Sequence, residues 1–144
     1  MDGKPVVIEM SCICSRPTTC NLCGGNVVYV SNEEIYGQRY GSGYAYMCLS
    51  CGAYTGTHRH RPMDALGLLA NKEMRRLKVK CHELFDKQWT TYDERCKMYK
   101  WLAKQLAIPI DCCHFGYFDT DMLYKALNVL QNECICDENA SKEV

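Results

Sequence analysis

Four cysteines constrain this chain more than anything else in it: Cys20-Asn-Leu-Cys23 and Cys48-Leu-Ser-Cys51, two C-x-x-C pairs separated by 24 residues. Each pair predicts a tight turn with both thiolates on one side. A hairpin joining two such turns delivers the tetrahedral sulfur set that zinc favours. Four thiolates fill the coordination sphere, so the expectation is one structural Zn2+ with no open position for a reacting water. Cys23-Gly-Gly25 adds residues free to take φ > 0, which lets backbone amides turn in toward the sulfurs.

The segments around the cysteines have strand composition. Asn26-Val-Val-Tyr-Val30, Tyr44-Ala-Tyr-Met47 and Ala53-Tyr-Thr-Gly-Thr57 are β-branched and aromatic, which predicts a three-stranded antiparallel ribbon with a glycine-rich loop over 36–43. Past the ribbon the apolar period changes to that of a helix. Ala70, Met74, Leu77, Cys81 and Leu84 recur at steps of four and three, with Asn71 as N-cap and an end near Gln88. Thr91-Tyr-Asp-Glu94 is the T-x-x-E of a capping box, opening a helix that carries Cys96, Tyr99, Leu102, Ala103 and Leu106 and ends at Ile108-Pro109. A last helix, capped by Asp119, runs through Met122, Leu123, Ala126, Leu127 and Leu130. The aromatic loop from Cys112 to Asp119 packs back on the first long helix. The fold class is therefore α+β: an arm over 1–17, a zinc ribbon over 18–61, a three-helix module over 62–132 packed on it, and a frayed acidic tail over 133–144.

Composition narrows the function classes. Lys+Arg and Asp+Glu balance at 17 each, so no global field pulls the protein onto nucleic acid or a membrane, and any basic surface must be local. The 47% of hydrophobic residues is enough for a core. No run approaches the roughly 18 to 20 apolar residues that span a bilayer. Twelve cysteines would suit a secreted disulfide scaffold, but residues 1–11 show neither an apolar signal region nor a cleavage site, so a reducing cytoplasm is the expected compartment.

Two local features point to binding. Tyr29, Tyr36, Tyr40, Tyr44, Tyr46 and Tyr54 crowd the ribbon with Arg39 among them, and rings beside a cation make a platform for unstacked bases. Strand propensity alone also accounts for such tyrosines. From Thr55 to Lys80 seven Arg/Lys residues, among them Arg59, Arg61, Lys72, Arg75, Arg76 and Lys80, face only Asp64 and Glu73. A solvated helix face explains most such runs, but the adjoining Arg59 and Arg61 widen this one toward phosphate contact.

The histidines raise the question of catalysis. On an extended segment His58 and His60 would project from one face and Arg59 and Arg61 from the other, while His82 and His114 lie on the first long helix and the late loop. Four imidazoles suffice for a second metal site or a general-base cluster of a metal nuclease, yet no H-E-x-x-H or comparable spacing supports it. The C-x-C pairs Cys12/Cys14 and Cys134/Cys136 leave two alternatives open, a second zinc or disulfides on oxidation. Cys81 and Cys96 read as small hydrophobes.

The run Cys20-x-x-Cys23, Cys48-x-x-Cys51, Thr57-His-Arg-His60, Pro62, Leu69-Ala70, Arg75-Arg76, His82, Phe85-Asp86, Trp89, Trp101-Leu-Ala103 and Cys113-His-Phe-Gly-Tyr-Phe-Asp119 resembles the small zinc-finger-containing proteins of bacteriophages and prophages, over roughly residues 18 to 132. The resemblance implies a phage origin, a zinc ribbon joined to helices and the cytoplasm of an infected or lysogenic bacterium. It implies no reaction. Three functions follow: a non-enzymatic module docking on nucleic acid or a nucleoprotein complex, a protein-binding inhibitor of a host enzyme or anti-phage defence complex such as an anti-CRISPR, and a metal-dependent nuclease. The first is the expectation, with no membrane and no small-molecule substrate.

Overall fold

A computed structural model describes residues 12–132, which divide after Lys72 into two compact units. In the first, four antiparallel strands run in chain order: β1 (Val27–Ser31), β2 (Tyr44–Cys48), β3 (Tyr54–His58) and β4 (Arg61–Ala65). A short helix, α1 (Glu33–Tyr36), lies between β1 and β2.

The three expected strands are present, and β4 is a correction to the three-stranded ribbon. Its Arg-Pro-Met-Asp-Ala sequence hid it, since proline has no ladder donor and belongs only on an edge strand, which is where β4 lies. The extended reading of 58–61 is corrected as well. His58 and Arg61 are Cα partners across a hairpin whose loop is Arg59-His60, with a register shift at Thr57/His58. The two-residue alternation of imidazoles and guanidiniums therefore breaks at the turn.

The first unit's core is small and organised by sulfur. Cys20, Tyr46, Cys48, Ala53, Ala65 and Leu69 form one buried cluster with Val27 packed against it. Asn21, inside the first C-x-x-C, ties down the segment after β4: its Nδ2 donates to Leu69 O at 3.0 Å and its Oδ1 accepts from Leu69 N at 2.9 Å. An asparagine side chain thus substitutes for a strand residue, and composition carried no sign of it.

The second unit holds α2 (Lys72–Asp86), α3 (Tyr92–Leu106) and α4 (Thr120–Asn132), with two short 3-10 turns at Ile110–Cys112 and Phe115–Tyr117. Met74, Leu77, Cys81 and Phe85 are the buried stripe of α2, met by Met98, Leu102, Ala103 and Leu106 from α3 and Leu123, Ala126, Val129 and Leu130 from α4. Cys81 is fully buried, whereas Cys96 is half-buried and Met98 takes the inward place on α3. The aromatic loop does pack on α2: Phe115 sits edge-on to Phe85 at 5.5 Å between centroids and to His82 at 4.7 Å. Leu106 ends α3, and Ala107 adopts a left-handed φ of 57° before Ile108-Pro109.

The capping box is complete. Thr91 Oγ1 accepts from Glu94 N at 3.2 Å, and Glu94 Oε1 accepts from Thr91 N at 3.2 Å and Thr90 N at 2.7 Å. Thr91→Ala removes one of these partners and costs about 1 kcal/mol, a fall of about 4–8 °C in the thermal midpoint of a unit this size. The Thr90 and then the Thr91 amides also hold the Glu94 carboxyl below its ordinary value. A depressed acid stabilises above its unfolded pKa, so this contribution is present at neutral pH and lost as the solution is acidified through the lower folded value. A helical circular-dichroism melt of Thr91→Ala against the parent at pH 7 checks the first, and Glu94→Ala checks the second: its deficit against the parent is present at pH 7 and shrinks at pH 3, where the parent's Glu94 is protonated too.

Candidate metal centre

The two cysteine turns are built alike. In the first, Cys20 N donates to Gly25 O and Gly24 N to Cys20 O; in the second, Cys48 N donates to Ala53 O and Gly52 N to Cys48 O. The repeat follows from C-x-x-C-G, because the residue after each pair must turn left-handed. Gly24 and Gly52 do so at φ of 77° and 82°. Gly25 is required for space instead: a Cβ there would stand 2.5 Å from Ser50 Oγ and 3.0 Å from Cys48 Sγ. The glycines thus let the two turns approach each other.

That approach brings four sulfurs together. Sγ of Cys20 lies 3.8 Å from that of Cys51, Sγ of Cys23 lies 3.5 Å from that of Cys48, and all four fall within 4.8 Å of one another. A tetrahedral zinc with Zn–S near 2.3 Å needs sulfurs about 3.8 Å apart, and the set fits. It is far too open for disulfides, whose S–S is about 2.05 Å.

Backbone amides supply the rest of the setting. Leu22 N and Ser50 N reach Cys20 Sγ and Cys48 Sγ at 3.3 Å, Cys51 N reaches Cys48 Sγ at 3.4 Å, and Gly25 N reaches Cys23 Sγ at 3.3 Å. The Cys51 amide above all, with that of Ser50, holds the Cys48 thiol down to about 6. On Cys23 the Gly25 amide pulls the same way, but hydrogen bonding to Cys48 and the other two sulfurs pushes it up to about 12. Sulfurs this close cannot all ionise against one another, and a dication removes that conflict. Cys20 and Cys48 are buried while Cys23 and Cys51 face outward, so the site sits at the rim of the core.

A family model for a zinc-finger-containing domain matches residues 16–133. The chain belongs to that family. No curated protein and no solved structure matches it significantly. In this zinc-finger domain the four thiolates hold Zn2+ as a structural ion that cross-links the turn before β1 to the turn after β2.

The other expected residues fall as follows. Arg39, Arg59 and Arg61 lie in the first unit, and Arg75, Arg76 and Lys80 on α2 in the second, with Lys72 at the division. His58 and His60 belong to the β3–β4 hairpin. His114 stacks on Tyr117 at 4.6 Å. Among the described residues, no histidine in either unit joins a group of three or more potential ligands. Cys113 is buried beside His114, and burial pushes its thiol up to about 11, a protonated state unlike an activated nucleophile. Of the C-x-C cysteines, Cys14 is free and exposed, while Cys134 and Cys136 lie outside the described residues. No helix among the described residues is long and apolar enough to cross a membrane.

The tyrosines divide into two sets. Tyr29 stacks on Tyr44 at 5.1 Å and meets Tyr46 at 5.1 Å on a tilt, and the Arg39 guanidinium lies 4.9 Å above the Tyr44 ring. These rings cover one another in part, and Tyr29 keeps 37% of its surface exposed. Tyr36 and Tyr40 stay 48% and 53% exposed, edge-on to each other at 5.4 Å. Buried Asn32 shapes their loop, donating from Nδ2 to Tyr40 O at 2.8 Å and accepting from Tyr40 N at 3.2 Å.

Proposed function

We propose that the protein is a non-enzymatic zinc-ribbon module that docks on nucleic acid or a nucleoprotein complex. The observation that carries this reading is the pair Tyr36 and Tyr40, half out of the protein on a loop clamped by Asn32 and next to Arg39. Each base stacked on such a ring gains about 1–3 kcal/mol. Arg59 and Arg61 of the hairpin, and Lys72, Arg75, Arg76 and Lys80 of α2, are the phosphate contacts of this proposal. The closed thiolate set offers no position for a substrate, which favours binding over catalysis. The setting we infer from the phage resemblance is the cytoplasm of an infected or lysogenic bacterium.

A protein target is the second reading, and one feature favours it. Leu49, on the second cysteine turn, is 63% exposed, and Leu22 on the first is also open to solvent. Apolar tips suit a protein better than a phosphate backbone.

Gel shifts against single- and double-stranded DNA and RNA, at about 50 and 200 mM salt with substrate integrity checked, test the proposal. If at least three of these six cations meet phosphates of a single strand, the affinity falls by roughly ten- to twenty-fold or more over that range. Binding indifferent to salt, or none, overturns it. Divalent-dependent cleavage would establish the nuclease instead.

A further inference from the structure

Arg16, Arg61 and Asp64 meet at one place in the first unit. Arg16 Nε lies 3.2 Å from Asp64 Oδ1, and Arg61 Nε lies 3.4 Å from Asp64 Oδ2. One carboxylate, 26% exposed, thus holds two guanidiniums that are each 62% exposed. Both arginines bond through Nε and make no other hydrogen bond or ion pair among the described residues, which leaves their terminal nitrogens for a further acceptor. Together with Pro62 and Met63 they line a cleft of about 330 Å³.

The surrounding backbone is tied in place. Tyr29 Oη donates to Pro62 O at 2.7 Å and Tyr46 Oη to Met63 O at 2.6 Å, so the backbone of two lining residues is held from β1 and β2. Ala65 N donates to Ser15 O at 2.7 Å, which brings the residue before Arg16 alongside the residue after Asp64. Asp64 gives each guanidinium one fixed contact on this tied backbone. Two positive charges against one negative leave the cluster cationic.

We infer that this cleft is a seat for a backbone phosphate of nucleic acid, gripped by Arg16 and Arg61 and kept in register by Asp64. The inference rests on the nucleic-acid reading above and specifies one contact within it. A guanidinium fork matches phosphate in two directions at once, which a lysine ammonium does not. The seat makes Arg16, which stands outside the basic run of the sequence, a binding residue, and gives Asp64 a positioning role.

The test compares the full-length, zinc-loaded protein with an Arg16→Lys/Arg61→Lys double variant and an Arg16→Gln/Arg61→Gln double variant. The probe is a single-stranded DNA oligonucleotide binding in solution over a range of salt. Zinc content and circular dichroism verify that each variant is folded; both positions are exposed, so neither exchange touches the core. The seat predicts a loss of about ten-fold in the lysine variant although its charge is unchanged. The glutamine variant loses at least as much, and its salt slope falls by about 0.7, the value for one phosphate on a single strand. If the lysine variant binds like the parent, the contact is diffuse charge and the seat is wrong while the nucleic-acid reading stands. If the parent itself does not bind, both fail.

Discussion

Replacing Cys48 with serine unfolds the zinc-bearing unit. A structural zinc site contributes on the order of 10 kcal/mol or more to folding, as much as the whole stability of an ordinary domain, about 5–15 kcal/mol. The first unit has little to fall back on. Its buried cluster contains two of the four ligands, Cys20 and Cys48, with Tyr46 and Leu69 as the only large side chains. Serine at position 48 removes a ligand and also the sulfur that accepts the Ser50 and Cys51 amides. The expected result is a zinc content well below the parent's one per chain and loss of dispersed sheet resonances, with the helical signal of α2, α3 and α4 retained. Chelating the parent has the same effect. A variant that kept its sheet without zinc would show that the metal is dispensable.

Phe85→Ala gives the complementary result in the other unit. Phe85 is fully buried, with its ring 4.5 Å from Tyr99 and 5.5 Å from Phe115. Truncating a phenylalanine in such a place costs about 3–5 kcal/mol in lost transfer energy and residual cavity. At about 4–8 °C per kcal/mol, the helical melt moves down by at least about 12 °C. Zinc content stays at the parent's value because the four thiolates of the described site all lie in the first unit. Val79→Ala, on the exposed side of the same helix at 57% exposure, is the control and stays within about 0.5 kcal/mol of the parent. Equal melts for the two variants would refute the packing described for α2.

Much of this was legible because the relevant physics is local. C-x-x-C-G specifies a turn, its sulfurs and its left-handed glycine within five residues. T-x-x-E specifies a helix start within four. Periodicity found Met74, Leu77 and Cys81 on α2 and Leu123, Ala126 and Leu130 on α4, though Phe85 and Val129 take the inward places expected of Leu84 and Leu127; Asp119 caps α4 as expected, accepting from Met122 N at 2.9 Å. Where spacing misled, a neighbour decided. β4 reads poorly as a strand because Arg61 and Pro62 suit only an edge, and being an edge depends on β3 beside it. The register of β1 on β2 places Tyr29 opposite Tyr46 and gathers these two rings with Tyr44, a grouping that sequence spacing did not give.

The sequence by itself determined the metal centre, its four ligands and the kind of ion, since thiolate number, spacing and the adjoining glycines are all written within two short stretches. Only the tertiary structure decided which surface residues stand together. Arg16 and Asp64 are 48 positions apart and meet because Ala65, at the end of β4, donates to Ser15 O in the segment before the first cysteine turn, a contact that no local pattern encodes. The zinc was legible because its ligands come from two compact motifs, and the arginine seat was not, because the fold alone brings its parts together.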